Sequence, residues 1–274
     1  MKAAVLQMNS GDDLAANLAQ AQSLLEQAQA QGCKLAVLPE NFAFMGAHER
    51  DKLRHAESAG GGAIQDFLSR AAARLRLWIV GGTAPLAVAH TPDKVYAASL
   101  VYDDRGACVA RYDKIHLFDV QVPTAGGAQN YRESASIEAG VPRAQTIATP
   151  AGILGLSVCY DLRFPELYRA LSALGVEVFA VPSAFTAATG AAHWSALLRA
   201  RAIENQAYVL APGQCGTHPG GRQTWGHSLI VDPWGIVLCE LGDAPGIGVA
   251  ELDFERLAQV RTTFPALRHR RLSS

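Results

Sequence analysis

Hydrophobic and polar positions along this chain alternate between two patterns: short unbroken apolar runs, and longer stretches in which apolar residues recur at helical spacing. Lys2 to Met8 is a run of the first kind and predicts a strand. Asn9-Ser10-Gly11-Asp12-Asp13 then supplies turn and helix-cap chemistry. Leu14, Leu18, Ala21, Leu25 and Ala28 fall at three- and four-residue steps and predict a helix whose stripe faces a sheet, with Gly32 placed to stop it. Cys33 to Leu38 predicts a short buried strand that ends at Pro39-Glu40-Asn41-Phe42, which puts Glu40 at its C-terminal end. Gly60-Gly61-Gly62 precedes a second amphipathic helix carried by Ile64, Phe67, Leu68 and Ala71, and Leu77 to Val80 is a third strand closed by Gly81-Gly82. Val95 to Tyr102 and Ala107 to Tyr112, joined by Asp103-Asp104-Arg105-Gly106, predict a hairpin, so antiparallel pairing joins a βαβα rhythm.

The second half repeats the pattern. Val120 to Gly140 is rich in Gly, Ala, Pro and Ser without a period and predicts a long surface loop. Gln145 to Ala148 and Ile153 to Val158 predict a hairpin that delivers the chain to Cys159, and Pro165, suited to a first helical turn, opens a helix holding Leu167 and Leu171. Strands are expected over 176–181, 207–210, 226–231, 236–241 and 247–252, with helices over 193–205 and 254–262. Residues 1–274 read as a single α/β domain of mixed sheets with a C-terminal tail from about 263. The basic run Arg268-His269-Arg270-Arg271 in that tail reads as a solvated or intersubunit feature.

Composition narrows the partners. With 49% hydrophobic residues, 18% charged residues and a formal net charge of -1, the chain offers a large core and no electrostatic case for nucleic acid or an anionic membrane. A small-molecule substrate is expected. Five cysteines without paired spacing do not form a disulfide framework and point to a reducing compartment, the cytoplasm. The apolar run Ala3 to Leu6 is too short for a signal-peptide core, and no stretch has the length of a membrane span.

Candidate chemistry lies where polar residues follow strands. Cys159 stands between an apolar strand and a helix start, a place where a thiol is lifted off the sheet and feels a field favouring its thiolate. Glu40 and Lys114, the latter in Arg111-Tyr112-Asp113-Lys114-Ile115-His116, are expected to meet Cys159 at one sheet edge, outside the strand carboxyl ends. These residue types suit acyl transfer: the sulfur attacks a carbonyl carbon, a carboxylate takes the thiol proton, and an ammonium stabilises the oxyanion. His116, His193 and His227 raise a Cys-His alternative and read better as structural hydrogen-bonding residues. Cys215-Gly216-Thr217-His218 lacks the further ligands of a structural zinc site and reads as a loop, while Cys33, Cys108 and Cys239 read as core. Neither Gly60-Gly61-Gly62 nor Pro219-Gly220-Gly221 is followed by the Gly-Lys-Ser/Thr of a phosphate loop.

Leu38-Pro39-Glu40-Asn41, Lys114-Ile115-His116-Leu117-Phe118-Asp119 and Cys159-Tyr160-Asp161-Leu162-Arg163-Phe164-Pro165-Glu166 resemble, in order and spacing, the three signature segments of the nitrilase superfamily of carbon-nitrogen hydrolases. The resemblance runs on through Ala192-His193-Trp194, residues 199–206 and Gly226-His227-Ser228 to Asp232-Pro233-Trp234-Gly235, and so covers nearly the whole chain. It implies a four-layer α-β-β-α sandwich, commonly paired into a homodimer or a higher homo-oligomer. It also implies Glu40 as general base, Lys114 as oxyanion-stabilising cation, Cys159 as nucleophile and the Tyr160 amide as second oxyanion donor. Glu133, in Tyr131-Arg132-Glu133-Ser134, stands where the family carries a second glutamate, which would orient Lys114; Glu138 lies close by in the same segment. No metal or organic cofactor is required by this chemistry.

Within the superfamily the chain is similar to the Nit branch, and Gln214-Cys215-Gly216-Thr217-His218 resembles the deaminated glutathione amidases more than the ω-amidases. The implied reaction is hydrolysis of the amide of deaminated glutathione or a similar α-keto acid amide through a thioester. The alternatives are an ω-amidase, N-carbamoyl hydrolase or nitrilase using the same residues, or a non-catalytic interaction protein on the same scaffold. Arg163 is suited both to a substrate carboxylate and to a structural contact, and Phe185 and Thr186 are candidate pocket walls.

Overall fold

Side chains along the first strand divide the molecule. In β1 (Lys2–Gln7), Ala3 and Val5 enter one buried cluster while Ala4 and Leu6 enter another, the two-residue alternation of a strand covered on both faces. The same split recurs in β2 (Leu35–Val37) and β3 (Trp78–Val80), where Leu35, Val37 and Val80 face the first cluster and Ala36 and Ile79 the second. The second cluster is completed by α1 (Leu14–Ala30) and α2 (Ala63–Leu75), which lie against this sheet. Asp13 caps α1 by accepting from the Ala16 amide at 3.1 Å, and the helix buries Asn17, Ala21, Leu24, Leu25 and Ala28 along one face.

The computed structural model describes residues 1–124 and 127–272. The first sheet also holds β4 (Ala84–Ala87), β5 (Val95–Tyr102), β6 (Cys108–Asp113) and β17 (Gly246–Glu251), in the order β17-β1-β2-β3-β5-β4 with β6 on the other edge of β5. β1, β2 and β3 run parallel, and the remaining pairings are antiparallel. The second sheet follows the order β16-β15-β12-β11-β10-β9, where β9 is Thr146–Thr149, β10 Gly152–Leu156, β11 Val178–Ala180, β12 Tyr208–Ala211, β15 Leu229–Val231 and β16 Val237–Glu240. Its outer face is covered by α3 (Pro165–Ala173) and α4 (Ala187–Asn205), whose Leu167, Leu171, Leu198 and Ala202 join Leu154, Leu156 and Phe179 in the first cluster. The layers are therefore α-β-β-α, as expected, with mixed sheets. Helix α5 (Phe254–Thr263) follows β17, and Ala266–His269 adds one further turn.

Four local expectations fail. Residues 119–132 are not an open loop: β7 (Asp119–Thr124) and β8 (Gly127–Arg132) pair antiparallel in a separate ribbon, and positions 125–126 of the predicted loop lie outside the described residues. On β7 Val120 and Val122 alternate with the exposed Asp119 and Gln121, but among the described β8 side chains only Tyr131 is buried, so the alternation is too short to mark a paired ribbon. Cys215–Thr217 is strand β13, paired with β14 (Gln223–Trp225), rather than a loop. Helix α4 starts at Ala187 instead of 193, because Thr186 caps a first turn of small residues that carries no stripe. Its Gly190 packs on Trp225, so closely that a Cβ there would lie 2.2 Å from the Trp225 Cβ. Cys108 is exposed and Cys239 half-buried, so of the three cysteines assigned to the core only Cys33 is fully in it. The C-terminal tail expectation holds Ser273 and Ser274, which lie outside the described residues.

One glycine ties the first sheet to the segment that carries Glu40. Gly82 has φ +53°, and a Cβ built on it would lie 2.0 Å from the Pro39 carbonyl oxygen. The expected outcome for Gly82→Ala is a loss of at least about 2 kcal/mol of stability in chemical denaturation. An unchanged midpoint would show that the strand ends are not packed as described.

Candidate active site

Glu40 leaves the end of β2, and Lys114 leaves the end of β6. The next residue after Glu40, Asn41, takes φ +56°, with its amide donating to Thr83 Oγ1 at 2.8 Å. Lys114 is anchored on both sides of its backbone, donating to the Ala97 carbonyl at 3.1 Å and accepting from the Gly140 amide at 2.9 Å. These anchors aim two long side chains at each other. Lys114 Nζ donates to Glu40 Oε1 at 2.8 Å and to both carboxylate oxygens of Glu133 at 2.9 Å. Lys114 is 2% exposed, so its charge is supported almost entirely by these two carboxylates. Glu133 is fixed in turn by the Phe118 amide at 2.7 Å. Glu138 is elsewhere, paired with Lys94 at 2.9 Å, so the structure separates the two acidic residues of this segment.

Cys159 comes from the other sheet, at the end of β10. The three residues therefore meet between the ends of two stacked sheets, not along one sheet edge as expected. Cys159 has φ +49°, a left-handed conformation that costs a residue with a Cβ about 1–2 kcal/mol. Its amide donates to the Pro182 carbonyl at 2.9 Å. The turn that follows is latched by Asp161, which is fully buried: Oδ2 accepts from the Val158 amide at 2.8 Å and the Tyr112 hydroxyl at 2.7 Å, and Oδ1 faces His116 Nδ1 at 2.7 Å and accepts from the His116 amide at 3.2 Å. His116 also stacks on Phe164 with ring centroids 3.7 Å apart. Its role is to hold the turn, in keeping with a structural reading. In the sequence Asp161 stands only as one member of the segment Cys159 to Glu166. The signal for it was a carboxylate two residues past a cysteine at a strand end.

The electrostatics differ from the expectation of a thiolate. Helix α3 begins only at Pro165, after a single 3₁₀ turn over Cys159–Arg163, so the sulfur is not at its N-terminus. Burial, followed by the charge of Glu40, pushes the Cys159 thiol well above its usual range, against the opposing effects of Lys114 and the Ala184 amide. Burial alone would raise the Glu40 carboxyl too, but the charge and hydrogen bond of Lys114, helped by Cys159 and Arg222, bring it below the ordinary value. Burial would lower Lys114, and Glu133 and Glu40 together raise it well above the ordinary ammonium value. The resting site is thus an ammonium between two carboxylates, facing a neutral thiol.

These groups line a cleft of about 470 Å³, its mouth included. The sequence-predicted residues Tyr160, Arg163, Phe185 and Thr186 all line it as well. Tyr160 occupies the second position of the 3₁₀ turn, and its amide has no backbone partner among the described residues outside that turn. Arg163 lies with its Cζ 5.3 Å from the Phe185 ring centroid and contacts His193 Nδ1 at 3.2 Å, with no carboxylate partner among the described residues. Thr186 Oγ1 is engaged in capping α4. Sequence reasoning missed Glu49, Lys52, Tyr131 and Arg222, which also line it; nothing local marks them, since three separate segments bring them together. The Cys215 and His218 pair is accounted for without a ligand: His218 Nδ1 faces the Ser10 carbonyl at 2.8 Å, and its Nε2 faces Thr224 Oγ1 at 2.7 Å.

Comparison with known proteins agrees with this geometry. A family model described as carbon-nitrogen hydrolase matches residues 2–262. A Synechocystis protein named deaminated glutathione amidase is 47% identical over 98% of this chain and 97% of its own length. Among solved structures, the Caenorhabditis elegans NitFhit protein superposes with a TM-score of 0.91 at 36% identity, over 98% of this chain; the chain spans 65% of that longer protein. A Nesterenkonia amidase, described as showing Michael addition of acrylamide at its active-site cysteine, superposes with a TM-score of 0.79 at 27% identity over 98% of this chain and 99% of its own. The chain belongs to the carbon-nitrogen hydrolase family, within the nitrilase superfamily, and is an amide-hydrolysing enzyme.

Proposed function

We propose that Cys159 is the nucleophile, Glu40 the general base and acid, Lys114 the oxyanion-stabilising cation and Glu133 the residue that orients Lys114. The observation that carries this reading is the Lys114 ammonium held at 2.8 Å from Glu40 and 2.9 Å from Glu133 in the cleft that Cys159 lines. Cys159 Sγ attacks the amide carbonyl carbon while its proton passes to Glu40, and the oxyanion is stabilised by Lys114 Nζ and the Tyr160 amide. The carbon–nitrogen bond then breaks, the amine leaves with the proton from Glu40, and a thioester remains on Cys159. Glu40 takes a proton from water, whose oxygen attacks the thioester; the acid departs and the proton returns to sulfur.

The substrate we propose is deaminated glutathione or a similar α-keto acid amide. The name of the Synechocystis relative supports it, and so does Arg163, a guanidinium at the cleft with no carboxylate partner among the described residues. A homodimer or higher homo-oligomer is also proposed, supported by the exposed Ile203, Trp234, Ile236 and Phe264. No described helix is long and apolar enough to cross a membrane, and five unpaired cysteines support a cytoplasmic location.

Assayed side by side, deaminated glutathione is expected to be hydrolysed with a higher kcat/KM than α-ketoglutaramate, and Cys159→Ala to lose at least about a thousandfold in kcat with unchanged circular dichroism. Preference for the small primary amide would overturn the substrate choice, and full activity of Cys159→Ala the mechanism. The pH profile is equally specific. Glu40 must be ionised and is held below its usual range, so activity is retained above that value and lost only as pH falls through it. The Cys159 thiol and Lys114 ammonium are both held high, so no alkaline loss falls near neutrality. kcat/KM should be flat from about pH 5 to about pH 9. A bell centred near a histidine value would contradict these assignments.

A further inference from the structure

The catalytic cleft does not end at Cys159. A second chamber, of about 790 Å³ with its mouth included, opens beside it, and the two share Asn41, Glu49, Lys52, Tyr131 and Arg222. The chamber is walled by the segment from Phe44 to Glu49, by β8 at Gln129 to Tyr131, and by Gly220. It is a built feature: Gly220 takes φ +76° and lies so close to the opposite wall that a Cβ there would be 2.7 Å from the Ala47 carbonyl oxygen.

Its shared wall carries uneven charge. Arg222 Nη1 lies 3.5 Å from Glu49 Oε1, and Lys52 Nζ lies 3.3 Å from Glu49 Oε2. Glu49 is the only carboxylate among the described residues lining the chamber, so on that side two cations share one anion, while the Glu40 charge reaches Arg222 from the cleft side. Arg222 Nε is buried without a partner among the described residues, while Nη2 donates to the Ala184 carbonyl at 3.3 Å. The Ala184 amide contacts the Cys159 sulfur. A guanidinium with a buried, unpartnered Nε therefore stands one residue from Cys159, at the passage between the cleft and the chamber, with its Cζ 5.3 Å from the Tyr131 ring centroid.

We propose that the outer chamber is the subsite for the leaving-amine half of the substrate, and that Arg222 with Lys52 binds a terminal carboxylate on that half. This rests on the proposed function above and deepens it: a substrate such as deaminated glutathione carries a dipeptide with a free C-terminus beyond its scissile bond, and Arg222 with Lys52 is assigned the holding of that terminus. A dipeptide extends about 7 Å beyond the scissile nitrogen, which carries its carboxylate out of the catalytic cleft and into the chamber. An amide that releases ammonia places nothing there. The acyl half remains on the Arg163 side of the cleft.

The test uses the purified full chain and three substrates with one acyl group: the dipeptide amide with a free carboxylate, the same compound ending in a carboxamide, and the primary amide. Wild-type enzyme is expected to favour the carboxylate over the carboxamide about ten- to a hundredfold in kcat/KM, the range of one charge-assisted hydrogen-bonded contact. Arg222→Gln should reduce that preference to about threefold or less, and Lys52→Gln should reduce it in part. Any disturbance passed through Ala184 affects both dipeptide substrates alike, so the ratio reports the carboxylate contact alone. A wild type that prefers the dipeptide amide but keeps its carboxylate preference in both variants, or shows none, would overturn the subsite and leave the substrate reading standing. A wild type that turns over only the primary amide would overturn that reading and the subsite with it.

Discussion

A single buried ammonium organises this molecule's chemistry. Lys114 is withdrawn from water and supported by two carboxylates, and each of the three groups would be costly to bury alone. Because Glu40 arrives from β2, Lys114 from β6 and Glu133 from beyond β8, the ion cluster also ties together the end of the first sheet and the ribbon that borders it. Fold and charge state are thus coupled. The strand ends must be held by contacts such as the close approach of Gly82 to Pro39, or the ammonium loses its partners.

The sulfur is presented to this cluster by a different device. A left-handed residue at the end of β10 is unfavourable by itself, and Asp161 offsets that cost by gathering the Val158 amide, the Tyr112 hydroxyl and the His116 ring and amide around one buried carboxyl. Tyr112 and His116 flank Lys114 in sequence, so the segment that supplies the cation also fastens the turn that supplies the thiol. The Cys159 thiol and the Lys114 ammonium are positioned by one shared set of hydrogen bonds.

Much of this could be read from the sequence, and what could not has a physical reason. Strands β1, β2, β5 and β10 were legible because each is an apolar run bounded by turn residues, and Glu40, Lys114 and Cys159 because each follows such a run. The β7–β8 ribbon was not legible, since its buried positions are too few to set a period. The charge state of Cys159 runs against its local signal because the field of a helix start is outweighed by burial and by a long-range contact with Glu40. Arg222, Glu49 and Lys52 were invisible for the same reason: their meaning comes from contacts across the cleft rather than from neighbours in the chain.

The central claim is that Cys159 rests as a neutral thiol because burial and the facing Glu40 carboxylate both oppose its ionisation. The most direct measurement is the rate of Cys159 alkylation by iodoacetamide as a function of pH, followed at that residue by peptide mass spectrometry. Burial and the Glu40 charge hold the folded value high, so the account predicts that alkylation rises only above about pH 9. It also predicts that Glu40→Gln, which removes one of those two causes, moves the rise to lower pH. A rise near or below neutrality in the wild type, or one that Glu40→Gln leaves in place or moves upward, would contradict it.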